Sequence, residues 1–151
     1  MKTIIPKTII SKTTISQTTI SWEAAHAAVE AAVQEAIQLD VRINVAITDP
    51  SGNLVAFLRM PGAFPQSINI AIDKAYTAGG FGFPTAHWMK VFGDNEAMKL
   101  GFSARPRHVI FGGGLPIRSK GELIGGIGVS GASEEQDSIC AQAGLRAIDV
   151  D

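Results

Sequence analysis

The chain has 151 residues, with 13 lysines and arginines against 14 aspartates and glutamates, for a formal charge of −1. That length reads as one domain able to bury roughly 68–70% of its unfolded surface, and the near-neutral balance gives no electrostatic basis for nucleic acid as a partner. The single cysteine, Cys140, excludes an internal disulfide and a Cys-rich metal site, and it suits a reducing compartment.

The opening "MKTIIPKTIISKTTISQTTI" is rich in Thr, Ile and Ser, with lysines at 2, 7 and 12. Pro6, Lys7 and Lys12 interrupt every apolar run and no small-residue cleavage site follows. The sequence therefore predicts no secretory signal and no membrane span, and a cytoplasmic protein. The unit "KTII" nearly repeats at 2–5 and 7–10, too briefly for a solenoid. Residues 1–13 read as a flexible or strand-like arm and 14–151 as the domain. The β-branched content of the arm suits pairing with a sheet edge or a neighbouring subunit.

Ser21 is placed to cap a helix, with Glu23 in its first turn. Trp22, His26, Val29, Val33 and Ile37 then recur at helical spacing, which puts His26 within an apolar stripe. Two readings follow for it: a satisfied core histidine, or a ligand or proton-transfer group facing a cavity. Val41 to Thr48 alternates apolar and polar residues as a half-buried strand. The turn "DPSGN" returns the chain along Leu54–Met60, a hairpin that carries Arg59 at its far end.

After the break "PGAFPQS", Ser67 is placed to cap a second helix. Ile68, Ala71, Ile72, Ala75 and Ala78 share one face of it, with Asp73 and Lys74 beside that face. "GGFGFP" ends it, and Thr85 begins a third helix carrying His87 and Trp88. Residues 93–106 read as irregular, with a helical turn around 95–100. Arg107–Phe111 reads as a third strand. Leu115–Ile117 and Glu122–Val129 form a hairpin about "RSKG". Ser133 and Gln136 make a capping box for a last helix over 139–148. The whole is an α+β order around a mostly antiparallel sheet.

Gly126-x-Gly128-x-x-Gly131 matches a dinucleotide fingerprint. However, such a site needs a second parallel strand beyond its helix, and Gly126 and Gly128 fall inside an apolar strand rather than in a turn. The alternative reading is steric. Glycine in a strand admits another backbone, a helix or a ligand, and Gly112, Gly113 and Gly114 can present backbone N–H groups to a flat or anionic guest.

Several segments together resemble the GlcG/HbpS-like family, which includes the C-terminal domain of PduO. They are "VAITDPSGNLVAFLRM" (45–60), "IDKAYTA" (72–78), "PT" (84–85), "IFGGGLPI" (110–117), "GELIGGIGVSGAS" (121–133) and "EQD" (135–137). They run in collinear order over about residues 14–148. The resemblance implies a profilin-like α+β fold with a five-stranded antiparallel sheet, and a symmetric homo-oligomer, often an octamer. It implies haem binding or degradation for some members and, for relatives in catabolic gene clusters, hydrolase activity on enamine-type intermediates of aromatic-ring degradation.

Two functions follow. One is a pocket holding haem or another flat anion. The other is a cofactor-free hydrolase or tautomerase acting on an unsaturated carboxylate. Arg59 and Lys74, at the family's "RM" and "DKA" positions, then serve as a carboxylate clamp or as acid/base groups, with a structural ion pair as the plain alternative. Gly112, Gly113 and Gly114 supply backbone donors, and Thr85 and Asp137 complete the ligand-binding set. Three histidines without a close pair give no zinc spacing, so no tightly held protein-ligated metal is expected. Haem needs only one axial histidine, with His26 the first candidate and His87 the second.

Overall fold

In the computed structural model, which describes residue 2 and residues 8–151, regular structure begins at Trp22. Pro6, Lys7 and residues 3–5 of the first "KTII" unit lie outside the described residues. Residues 8–19 run without helix or strand and are exposed throughout. At the entrance to the domain, Ile20 is buried and its N–H donates to the Ile124 carbonyl at 3.0 Å.

The Ser21 side chain accepts from the Ala24 N–H at 3.2 Å and starts helix α1, Trp22–Gln38. The buried face of α1 is Ala25, Ala28, Val29, Ala32 and Ala36, whereas Trp22 and Ile37 are exposed. The helix therefore packs through small residues, and His26 lies on its exposed flank rather than in the core. Close approach explains the choice: a Cβ at Gly144 would stand 2.9 Å from the Ala28 carbonyl oxygen.

Strands β1 (Asn44–Thr48) and β2 (Leu54–Arg59) form the expected hairpin. The Asp49 carboxylate holds its turn by accepting from the N–H groups of Ser51 at 3.0 Å and Asn53 at 2.9 Å. Helix α2 spans Ser67–Phe81 and ends where Gly82 takes a left-handed φ of 82°. Ser67 is not its cap: Gln66 holds that position without a side-chain bond, and Ser67 is buried as the first helical residue. A short 3-10 turn, Thr85–His87, leads into α3 (Trp88–Phe92) and α4 (Glu96–Ser103). Their aromatic residues close over the end of α2, with Trp88 stacked on Phe102 at 4.0 Å between centroids.

Strands β3 (Gly114–Ser119) and β4 (Glu122–Ser130) make the second hairpin, and α5 (Glu134–Arg146) starts on the Ser133–Gln136 capping box. All pairings are antiparallel, in the order β2-β1-β4-β3. The result is a single-domain α+β fold with α1 and α5 on one face of the sheet and α2 on the other. The main core lies under α1 and α5, where Val45, Ile47, Ile127 and Val129 are fully buried.

The expected fifth strand is absent among the described residues. Arg107 sits at φ 67°, which breaks an extended run, and the backbone of this segment is satisfied by a helix instead. The Thr77 hydroxyl on α2 donates to the Arg107 carbonyl at 2.9 Å and accepts from the Val109 N–H at 3.1 Å. Replacing it by an isosteric methyl orphans both groups, so Thr77→Val is expected to cost about 1–3 kcal/mol. Urea unfolding checks this, and a midpoint equal to the parent's would refute it.

Candidate functional site

The hairpin glycines line the face covered by α2. In the register, Gly114, Gly128 and Ala46 lie side by side across three strands, and Gly126 pairs with Thr48. A Cβ on Gly128 would collide with the Ala71 carbonyl oxygen, and one on Gly126 with that of Ala75. A Cβ on Gly114 would come within 2.6 Å of the Lys74 carbonyl oxygen. The guest that the bare strands admit is the backbone of a helix.

Lys74 belongs to this contact, not beside it, because the α2 face that meets glycine has no bulk to hold its stem away. Its side chain is 1% exposed and that of Asp137 is 3% exposed. The ammonium donates to Asp137 Oδ2 at 3.1 Å and to the Val129 carbonyl at 2.8 Å. Asp137 Oδ1 accepts from the Ala132 N–H at 3.0 Å. The Phe111 ring covers the ammonium, with its centroid 5.1 Å away. Burial lowers the Lys74 pKa and raises that of Asp137, while the attraction between the two opposes both shifts. The pair ties α2 to the end of β4 and the first turn of α5.

The glycine loop closes over the same place. Gly113, at φ 121°, leaves no room for a side chain, since a Cβ would lie 2.5 Å from Lys74 Nζ. Gly112 N–H donates to Glu134 Oε1 at 2.8 Å, and Gly114 N–H donates to the buried Thr85 hydroxyl at 2.9 Å. The structure thus brings together Lys74, Asp137, Gly112, Gly113, Gly114 and Thr85. Lys74 is engaged with Asp137 and the Val129 carbonyl, Asp137 also with the Ala132 N–H, Gly112 with Glu134, and Gly114 with Thr85.

Arg59 and His26 stand elsewhere. Arg59 lies at the end of edge strand β2, opposite Asn44, and donates to the Ala63 carbonyl at 2.7 Å. His26 lies on α1, across the sheet from α2, with 73% of its side chain exposed and its Nε2 4.0 Å from Glu30 Oε2. His87 is exposed. His108 is half-buried, stacked on Phe102 at 4.2 Å between centroids. Burial lowers its pKa, with help from nearby Arg105.

His26 overlooks an open groove of about 490 Å3 between α1 and β2, walled by Val29, Val33, Ala56, Phe57 and Leu58 with Glu30 at its margin. The groove exists because α1 packs through alanines toward α5, which leaves its His26–Val33 flank standing over the outer strand. Sequence reasoning singled out His26 but not the groove. The available signal was the alternation Leu54, Ala56, Leu58 on β2 together with the His26–Glu30 spacing of four. Among the described residues, no group of three or more His, Cys, Asp or Glu side chains is arranged to hold a metal ion, and no helix is long and apolar enough to cross a membrane.

The sequence model for "Haem degrading protein HbpS-like" matches residues 20–146. The corrinoid adenosyltransferase PduO of Salmonella typhimurium is 37% identical over 107 residues, covering 70% of this chain and 32% of PduO. The chain therefore spans about a third of that relative's length. Among solved structures, the PduOC:heme complex superposes with a TM-score of 0.82 at 36% identity, covering 89% of this chain and 98% of the other. A double mutant of Streptomyces reticuli HbpS superposes at 0.84 with 32% identity, covering 97% and 99%.

Proposed function

This chain belongs to the family described as haem degrading protein HbpS-like, and from that premise we propose that it binds haem or a similarly flat, anionic molecule in the groove between α1 and β2. The observation that carries the reading is His26: an exposed imidazole placed at the edge of an apolar trough. A planar macrocycle needs one face of apolar contact and one nitrogen for its iron. Val29, Val33, Ala56 and Leu58 supply the first, and His26 supplies the second. Glu30, one helical turn on, is within reach of orienting the ring, the usual service of an outer carboxylate. When bound, the iron porphyrin supplies the chromophore and any redox chemistry. The chain's own groups bind it, orient it and shield one face from water.

The alternative, a cofactor-free hydrolase, takes no support from the geometry. Gly112 and Gly114 spend their N–H groups on Glu134 and Thr85, and Lys74 spends its protons on Asp137 and Val129. Those residues are better read as the latch that fixes α2 and α5 beside the sheet.

Titration with haem, followed by visible spectroscopy, tests the proposal. The parent is expected to give a saturable Soret shift. His26→Ala is expected to lose the ligation signature, and Leu58→Asp to release haem more readily while keeping the ligated spectrum at saturation. A spectrum that never departs from free haem in the parent, or one that His26→Ala leaves unchanged, overturns it.

A further inference from the structure

We propose that residues 8–19 of one copy add as a fifth strand to the outer edge of β2 in a second copy, by reciprocal exchange. The inference stands apart from the haem reading and would hold in a protein that binds no haem.

Of the two sheet edges, one is already covered. On β3, Pro116 has no N–H to offer, and Asp151 pairs with the strand by donating its N–H to the Arg118 carbonyl at 2.9 Å. The Asp151 carboxylate also accepts from the N–H groups of Lys120 at 3.1 Å and Gly121 at 2.7 Å. The other edge is open. Met60 N–H donates to the Ile43 carbonyl at 3.0 Å. In an antiparallel ladder that directs Leu58 and Ala56 toward β1, and turns the N–H and C=O of Phe57 and Arg59 outward. Among the described residues, these outward backbone groups have no partner. Leu54 and Leu58 on the same strand are 50% and 38% exposed. A free, apolar edge of this kind is a template for another strand.

Residues 8–19 have the complementary need. Among the described residues their backbone makes no hydrogen bond, and Ile9, Ile10 and Ile15 are 88%, 66% and 82% exposed. The segment is β-branched and lacks Pro and Gly. Extended, these residues reach about 40 Å, twice what a six-residue strand requires, so the segment can cross to a neighbour and still pair. Alternation separates Ile10 and Lys12 from Ile9 and Ile15. With Lys12 on the groove side, toward Glu30, Ile10 lies beside Leu58, and Ile9 and Ile15 lie beside Phe57. The arm leaves its own domain at Ile20, against β4, and its residues 8–19 stay exposed and pair with no strand of their own domain. A second copy of the chain is therefore the occupant, and a two-fold exchange makes each copy donor and acceptor. The added strand would also wall the open side of the groove.

Two measurements on the 151-residue chain test this. Mixing Ile10→Cys with Leu58→Cys under oxidation is expected to give a disulfide-linked pair of unlike chains. Native Cys140 takes no part: it is fully buried, and its pKa is pushed up to about 12, chiefly by that burial. In hydrogen exchange, the Phe57 and Arg59 amides are expected to be protected in the parent and to lose protection by roughly ten-fold or more in Ile9→Asp/Ile15→Asp. Absence of the mixed disulfide, or amides that exchange freely in the parent, would overturn the exchange.

Discussion

Lys74→Met is expected to destabilise the protein by about 3–5 kcal/mol, the usual consequence of leaving one member of a buried ion pair without the other. Methionine keeps most of the stem's volume, so the loss comes from charge rather than from a cavity. The carboxylate of Asp137 stays 3% exposed with no cation, and the Val129 carbonyl loses its donor. For a domain of this size each kcal/mol lowers Tm by roughly 2–4 °C, so thermal unfolding resolves the effect easily.

The sign of its pH dependence follows from Asp137. Its folded-state pKa is raised above the ordinary 3.8, chiefly by burial, and removing the ammonium removes the main opposing influence. The folded state then binds the proton more tightly than the unfolded chain does. The variant should be most stable below the ordinary carboxylate value and lose stability as pH rises through the raised pKa. Adding Asp137→Asn should recover most of the loss, because the amide oxygen can still accept from Ala132 N–H while the stranded charge is gone. Lys74→Met with a parental Tm, or a double variant weaker than the single, would show that the pair does not hold α2 and α5 in place.

Much of the fold was legible because several signals are local. The Asp49 turn and the Ser133–Gln136 capping box need only near neighbours, and each forms as read. The strand read from 41–48 forms as β1, but it is buried on both faces rather than half-buried, because α2 covers the side that carries Asn44, Ala46 and Thr48. Reading α1 by bulk selected Trp22, His26 and Ile37 as a core stripe, whereas the buried face is mostly alanine. A helix that must approach another closely is chosen for what its side chains lack. The same rule hides Lys74: its long stem looks external until the facing strand is known to be glycine. The Arg107–Phe111 segment has strand-like composition, but Thr77, some 30 residues earlier, satisfies its backbone. No window of sequence around residue 107 contains that information. The groove between α1 and β2 is invisible for a related reason, since it is a gap between two elements and not a motif in either.

The second large effect is expected at Gly128. Gly128→Val should abolish cooperative folding, seen as loss of the sigmoidal unfolding transition and of near-ultraviolet dichroism. The Cβ alone would collide with the Ala71 carbonyl oxygen and the Ala75 nitrogen, and would meet Lys74 Cβ at 2.9 Å. Two of these three neighbours are helix backbone, which has no rotamer through which to give way. Relief requires lifting α2 from the sheet, and that lift separates Lys74 from Asp137 and Thr85 from Gly114. Gly121→Ala is the matching control. That glycine also belongs to the hairpin, at φ 78°, but a Cβ there meets nothing within 4 Å. Its cost is confined to a strained turn, about 1–3 kcal/mol. If Gly128→Val folds and melts as the control does, the close seating of α2 on β4 is not what holds this fold together.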